Sequence, residues 1–165
     1  MDLRFYIIQT MSIVGCIMFA VSIKQKTQKR ISIIQTVECL ITATTVVLAG
    51  AIVGSITTYL CALRNFLSIW NKNHKYFSFI MIGVVFVVTL LNWASIWDIF
   101  PFVATSVYTI MLSFHSVKLT KIAIIPNCIC WFVYDFHYGM YVYCIFNAIN
   151  IGLCIYDIAR KRYED

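Results

Sequence analysis

Seven apolar runs of 16 to 21 residues, separated by short polar breaks, leave this chain little choice of solvent. A run of that length crosses the roughly 30 Å hydrocarbon core of a bilayer as an α-helix. The spans are Phe5–Ile23, Ile31–Ala49, Ala51–Trp70, Phe77–Trp97, Ile99–His115, Thr120–Asp135 and Gly139–Asp157. The second and third merge into 40 residues, which are divided at Gly50 and Gly54 because 40 residues are two crossings and glycine is the natural turn-former. Only 12% of the chain is charged, against about 25% in water-soluble domains. A soluble enzyme, a disordered tail and a secreted disulfide scaffold are thereby excluded. The net charge of +6 does not indicate a nucleic-acid partner, since the basic residues lie in the breaks and not on one folded, water-facing surface. The lipid bilayer is the expected partner.

Lysine and arginine in short loops collect on the cytoplasmic side. Lys24, Lys26, Lys29 and Arg30 follow the first span, Lys72 and Lys75 the third, Lys118 and Lys121 the fifth, and Arg160, Lys161 and Arg162 the seventh. The opposite face has only Arg4, an 11-to-1 partition that six or eight helices would destroy. Seven spans with the N-terminus outside and the C-terminus in the cytoplasm are expected. Trp93, Trp97, Tyr138, Tyr141 and Tyr143 would then stand near the outer interface, and Trp70, Tyr76, Tyr156 and Tyr163 near the inner one. The first run ends in a basic loop instead of a small-residue cleavage site, so it reads as a helix and not as a signal peptide.

All seven cysteines fall within spans and read as buried thiols. Cys128 and Cys130, two apart, point to different helix faces and make a poor metal pair. No metal site, cofactor site or nucleotide-binding loop is expected, and three scattered histidines do not make an enzyme.

Polar residues at helical spacing mark faces turned from lipid. Such stripes are Gln9, Ser12, Cys16; Gln35, Glu38, Thr42, Thr45; Thr57, Cys61, Arg64, Ser68; Ser106, Thr109, Ser113, Ser116; Asn127, Trp131, Asp135; and Tyr143, Asn147, Asn150, Cys154, Asp157. The fourth span has ten consecutive non-polar residues from Phe79 to Val88 and is expected to face lipid. The expected fold is therefore an all-α polytopic membrane protein of seven transmembrane helices, two parallel three-helix bundles joined by a linker helix (3+1+3). Residues 5–70 form the first triple, 77–97 the linker, 99–157 the second triple and 158–165 a cytoplasmic tail. Arg30-Ile31-Ser32-Ile33-Ile34 with Cys39 matches Lys121-Ile122-Ala123-Ile124-Ile125 with Cys130 at an offset of 91. Parallel repeats with a site at their interface are one plan for secondary transporters.

Glu38 and Arg64 fall at similar depths, so two readings stand: a buried ion pair locking the second and third helices, or part of a substrate or proton path. Asn147, Asn150 and Trp131 are either packing residues or ligand contacts. Asp98, Asp135 and His137 cluster near the outer helix ends as gate or interfacial residues. Pro126 and Pro101 allow kinks.

Leu63-Arg64-Asn65-Phe66, Pro101 with Thr105-Ser106 and Thr109, Leu119-Thr120, Cys130-Trp131, Asp135-Phe136 and Asn147-Ala148-Ile149-Asn150-Ile151 together resemble the YgjV-type family of bacterial inner-membrane proteins. That resemblance implies the bacterial cytoplasmic membrane as location. Trp131, Tyr138-Gly139, Asn147 and Gly152 more distantly resemble the final helices of the SWEET, SemiSWEET and PQ-loop carriers, and the seven-helix plan is similar to that of PnuC-type vitamin-precursor carriers. The SWEET resemblance implies that Trp131 and Asn147 flank a substrate. Thr45 and Cys61 stand where a second Trp and Asn would be, and the PQ dipeptide is missing. Arg64 and Glu38 suit a solute bearing a carboxylate or phosphate, because Arg grips such anions bidentately.

The expected function is a SWEET-like secondary carrier or facilitator of a small polar solute (sugar, organic acid or vitamin precursor) working by alternating access. The substrate-binding set is Trp131, Asn147, Asn150, Arg64 and Glu38. The alternative is a non-transporting scaffold or accessory subunit whose stripes merely hold helices together. A homo-oligomer is compatible with either.

Overall fold

The computed structural model describes residues 3–70 and 75–160, the side chain at 75 excepted. Lys72, Lys161, Arg162, Tyr163 and the rest of the tail beyond 160 lie outside the described residues. Within them the chain forms seven α-helices: α1 (Leu3–Ile23), α2 (Gln28–Ala49), α3 (Ile52–Ser68), α4 (Lys75–Leu91), α5 (Ile99–Leu112), α6 (Val117–His137) and α7 (Tyr141–Ala159). A short 3₁₀ turn, Ile96–Asp98, leads into α5. Helices α1, α2, α6 and α7 are each long and apolar enough to cross a membrane. The remaining three are shorter, with 17, 17 and 14 residues. The chain is an all-α, multi-pass membrane protein.

Inter-helix hydrogen bonds fix the direction of each helix. Arg4 at the start of α1 donates to the Leu48 carbonyl near the end of α2. Ser68 at the end of α3 donates to Ser32 near the start of α2. Thus α1 and α3 both run against α2. Across the molecule, Lys24 just after α1 reaches Asp157 near the end of α7, Thr120 reaches Gln28 at the start of α2, and Arg64 reaches Thr109. Helices α7, α6 and α5 therefore run with α1, α2 and α3 respectively, and α4 packs beside α3 and α5. One end of the bundle carries Arg4 and the other Lys24.

The turn between α2 and α3 is made by Gly50 and Ala51, with Gly50 at φ 87°, where an L side chain would be strained. Gly54 lies inside α3, not in the turn. Its missing Cβ admits the Tyr134 ring of α6: an added Cβ would stand 2.6 Å from Tyr134 Cε1.

Helix α4 stops at Leu91, six residues before the sequence expectation, because a new start signal follows. Asp98 Oδ2 accepts from the backbone N–H of Ala94 and Ser95, while Ser95 Oγ accepts from Trp97 N–H. Pro101 falls in the first turn of α5, where its missing N–H costs nothing, so it marks a start and not a kink. Pro126 is inside α6. As expected, α4 is peripheral, with Phe79, Ile80, Phe86 and Val87 exposed and only Ser78, Met81, Val85 and Thr89 covered.

Two sequence details shift. Ile31 and Ser32 are buried, and so are Ala123 and Ile124, while Gln35 and Asn127 line one cavity, as do Cys39 and Trp131. The environments of α2 and α6 correspond at an offset of 92, not 91. On α5 the covered face is Pro101, Ala104, Thr105, Tyr108, Thr109 and Leu112, instead of the serine stripe. Ser113 bonds its own helix at Ile110 O, 2.6 Å away, and Ser116 caps α6. A hydroxyl satisfied within its own helix has no need of a protein-facing position.

Candidate functional site

A cavity of about 100 Å³ lies between the helices, lined from α1, α2, α3, α5, α6 and α7. It contains all five residues expected to bind substrate, Trp131, Asn147, Asn150, Arg64 and Glu38, and also Asp135. Apolar clusters flank it on both sides. Toward the Lys24 end stand Ile23, Leu112, Ala123, Ile124, Cys128 and Cys154. Toward the Arg4 end, Cys16, Val46, Tyr134, Met140 and Tyr143 separate it from a second cavity of about 330 Å³ lined by Arg4, Gln9, Ser12, Tyr138 and Met140.

Glu38 and Arg64 share the cavity without forming an ion pair. Glu38 accepts from Thr42 Oγ1 at 2.7 Å and from Cys39 Sγ at 3.3 Å, which hold its carboxylate beside its own helix. Arg64 is drawn the other way. Its Nη1 donates to Thr109 Oγ1 on α5 (2.7 Å), its Nε and Nη2 donate to Asn65 Oδ1 (3.2 and 2.9 Å), and the guanidinium lies 4.8 Å from the centre of the Tyr108 ring. Tyr108 is in turn held by its hydroxyl bond to Gln35 Oε1 at 2.7 Å. The expected lock between helices is thus replaced by neutral dipoles around each charge. Arg64 is 5% exposed and Glu38 8%. An Arg has five N–H donors; three are used, leaving one on each terminal nitrogen.

Asp135 accepts from Asn147 Nδ2 at 3.1 Å, which makes Asn147 both a lining residue and an orienting donor. Asn150 is 2% exposed and its Oδ1 has no hydrogen-bond partner. A buried acceptor left so costs roughly 1–3 kcal/mol unless a ligand or water meets it. Tyr143, expected at the outer interface, is buried instead, its hydroxyl among those of Ser12, Thr42 and Thr45.

The outer group of Asp98, Asp135 and His137 does not form one cluster. Asp98 is committed to capping the 3₁₀ turn, with a 3.4 Å bond from Tyr138 Oη. His137 is exposed and stacks on Trp97, ring centres 4.9 Å apart. Only Asp135 faces the cavity.

Sequence reading missed one charged pair. Lys121, counted there as a loop residue, is fully buried and donates to Asp157 Oδ2 at 2.9 Å, while Lys24, 41% exposed, reaches Oδ1 at 3.2 Å. Arg64 is therefore not the lone cation inside the bundle. The available signal was Asp157, an acid at the basic end of the last helix. The cysteines are all free, with six buried and Cys130 half-buried.

No curated protein and no solved structure matches the chain. A family model described as a bacterial inner membrane protein, Imp-YgjV, matches residues 6–164, nearly the whole sequence. Together with helices long and apolar enough to span a bilayer, that match makes this chain a member of the YgjV family of multi-pass bacterial inner-membrane proteins.

Proposed function

We propose that the protein is a SWEET-like secondary carrier or facilitator of a small polar solute, working by alternating access, and not an enzyme. The carrying observation is the cavity between α1–α3 and α5–α7, polar at its centre and apolar at both ends. Two three-helix units of equal polarity, with α4 as linker, would rock about it. Their mutual contacts include single hydrogen bonds suited to breaking and reforming, such as Gln35–Tyr108 and Arg64–Thr109, beside the Lys24–Asp157 pair and the packing of Tyr134 on Gly54. In this reading the Arg4 end faces outward and the Lys24 end the cytoplasm, which the distribution of loop lysines and arginines supports. The solute enters through the larger cavity, past Tyr143. Trp131, Asn147, Asn150, Arg64 and Glu38 bind it, and Asp135 acts from the outer side.

The small volume of the cavity favours a second reading, a scaffold or accessory subunit whose polar faces only hold helices together. Uptake into proteoliposomes across sugars, organic acids and vitamin precursors separates the two. A saturable flux lost in Asn147→Ala, with normal expression and folding, supports the carrier. No flux of any solute class would leave the scaffold.

A further inference from the structure

We propose that the solute is a small monocarboxylate, bound by Arg64, and that it crosses together with one proton stored on the Glu38 and Asp135 carboxylates. This rests on the carrier reading above and adds the substrate class and the coupling ion.

The substrate class follows from Arg64. A guanidinium buried in a membrane bundle ordinarily has an anionic partner, because a charge taken out of water without one is costly. Among the described residues Arg64 has no carboxylate within ion-pair distance; its hydrogen bonds go to Asn65 and Thr109. It is nevertheless held firmly, by Asn65 on one edge, Thr109 on another and the Tyr108 ring against its face. Those neighbours fix its plane and leave one N–H on each terminal nitrogen, a pair that matches the two oxygens of a carboxylate. Size narrows the class. An apolar cavity of about 150 Å³ holds benzene, so about 100 Å³ suits a solute of some four to six heavy atoms such as lactate or pyruvate, and not a hexose.

The proton follows from charge balance. Thiols and phenols also face Glu38 around the cavity, Cys16 from α1, Cys39 beside it, Cys61 from α3, Tyr108 from α5 and Tyr143 from α7, and all are ordinarily neutral at pH 7. Asp135 faces Cys16, Cys128, Cys144 and Tyr143, of the same kind. The charged groups lining the cavity are thus one guanidinium, which stays protonated, and two carboxylates. The empty cavity is neutral when one proton is shared between Glu38 and Asp135. Once a solute carboxylate has docked on Arg64, the cavity is neutral only when both acids are protonated. One proton therefore enters with each monocarboxylate on one side and leaves with it on the other, and no net charge crosses. The hydrogen-bond partners allow this. Thr42 can donate to ionised Glu38 or accept from its protonated form, and Asp135 has one oxygen held by Asn147 and the other free for a proton.

The test uses the full chain in liposomes, with protein-free vesicles subtracted. Counterflow of labelled L-lactate, pyruvate, phosphate and a hexose is measured at equal pH on both sides, then net lactate uptake under an alkaline-inside gradient. The expected result is saturable lactate or pyruvate counterflow and a lactate accumulation ratio raised about tenfold by one pH unit, unchanged by a potassium–valinomycin potential. Arg64→Gln should lower carboxylate flux at least about tenfold, one ion-pair's worth of roughly 1.4 kcal/mol. Glu38→Gln or Asp135→Asn alone should lower lactate flux yet keep its pH response, since the remaining acid still alternates, whereas in E38Q/D135N the ratio of lactate uptake with and without the pH gradient should fall to about one. Hexose or phosphate counterflow without lactate counterflow overturns the substrate class while the carrier survives. Lactate counterflow that ignores the pH gradient, or follows the potential, overturns the coupling. Absence of every flux overturns the carrier reading itself. Should the double variant not fold, the wild-type response to gradient and potential decides.

Discussion

The hydroxyl of Tyr134 lies 3.0 Å from the backbone nitrogen of Gly54 and accepts its N–H, tying the first turn of α3 to α6 eighty residues away in sequence. The ring occupies the space a side chain at 54 would need. Helix N-terminal N–H groups have no partner in their own helix, so this phenol satisfies one of them inside an apolar cluster.

Gly54→Ala should therefore be costly. Its Cβ would stand 2.6–3.0 Å from two ring atoms and the hydroxyl oxygen of the fully buried Tyr134, and overpacking of that kind costs about 1–3 kcal/mol. Gly15→Ala meets only Thr42 Oγ1 at 2.9 Å, the end of a rotatable side chain, and should be milder. Thermal unfolding of the two variants in detergent checks the ranking. Equal stability of Gly54→Ala and wild type would show that the ring can move aside.

At the Lys24 end, the acid is expected to matter more than the exposed cation. Removing one member of a buried pair costs about 3–5 kcal/mol because the other is left unpaired. Asp157→Asn or Lys121→Met should fall in that range, and the double variant well below their sum. Lys24→Ala should cost under about 1 kcal/mol, its side chain being 41% exposed and its partner still held by Lys121. A double-mutant cycle by chemical denaturation gives the coupling; strict additivity would mean that Lys121 and Asp157 do not touch.

Cysteine chemistry maps the cavity. In single-cysteine variants, a small water-soluble thiosulfonate should label Cys16, Cys39 and Cys61, which line it, about tenfold or more faster than Cys128 and Cys154, which sit in the apolar cluster. Mass spectrometry of the intact chain reads the rates. Faster labelling of Cys154 would place water on the other side of that cluster.

Orientation is testable in cells. A cysteine in place of Arg4 should react with a membrane-impermeant maleimide in intact cells, and one in place of Lys26 only after lysis. The reverse pattern would invert the path proposed for the solute.

Composition and loop charges made the membrane, the helices and their number legible, because lipid tolerates only backbones that satisfy their own polar groups. Cavity-lining residues such as Asn127, Trp131 and Asp135 were readable for a related reason, their spacing on one helix face. Charge partners were not. Glu38 and Arg64 looked paired from depth alone, yet Thr42 and Thr109 hold them apart. Lys121 looked like a loop residue, yet Asp157 draws it fully inside. The serines of α5 looked like a buried stripe, although Ser113 satisfies itself within its helix.

The sequence by itself determined that this chain is a bundle of bilayer-crossing helices, and which residues lie on polar faces, since hydropathy and helical period are local properties. Only the tertiary structure decided which charges meet, which side chains share one cavity, and that Arg64 stands without an acidic partner among the described residues. Pairing depends on side-chain direction and on competing donors contributed by helices distant in sequence, and neither is encoded in the spacing along any single helix.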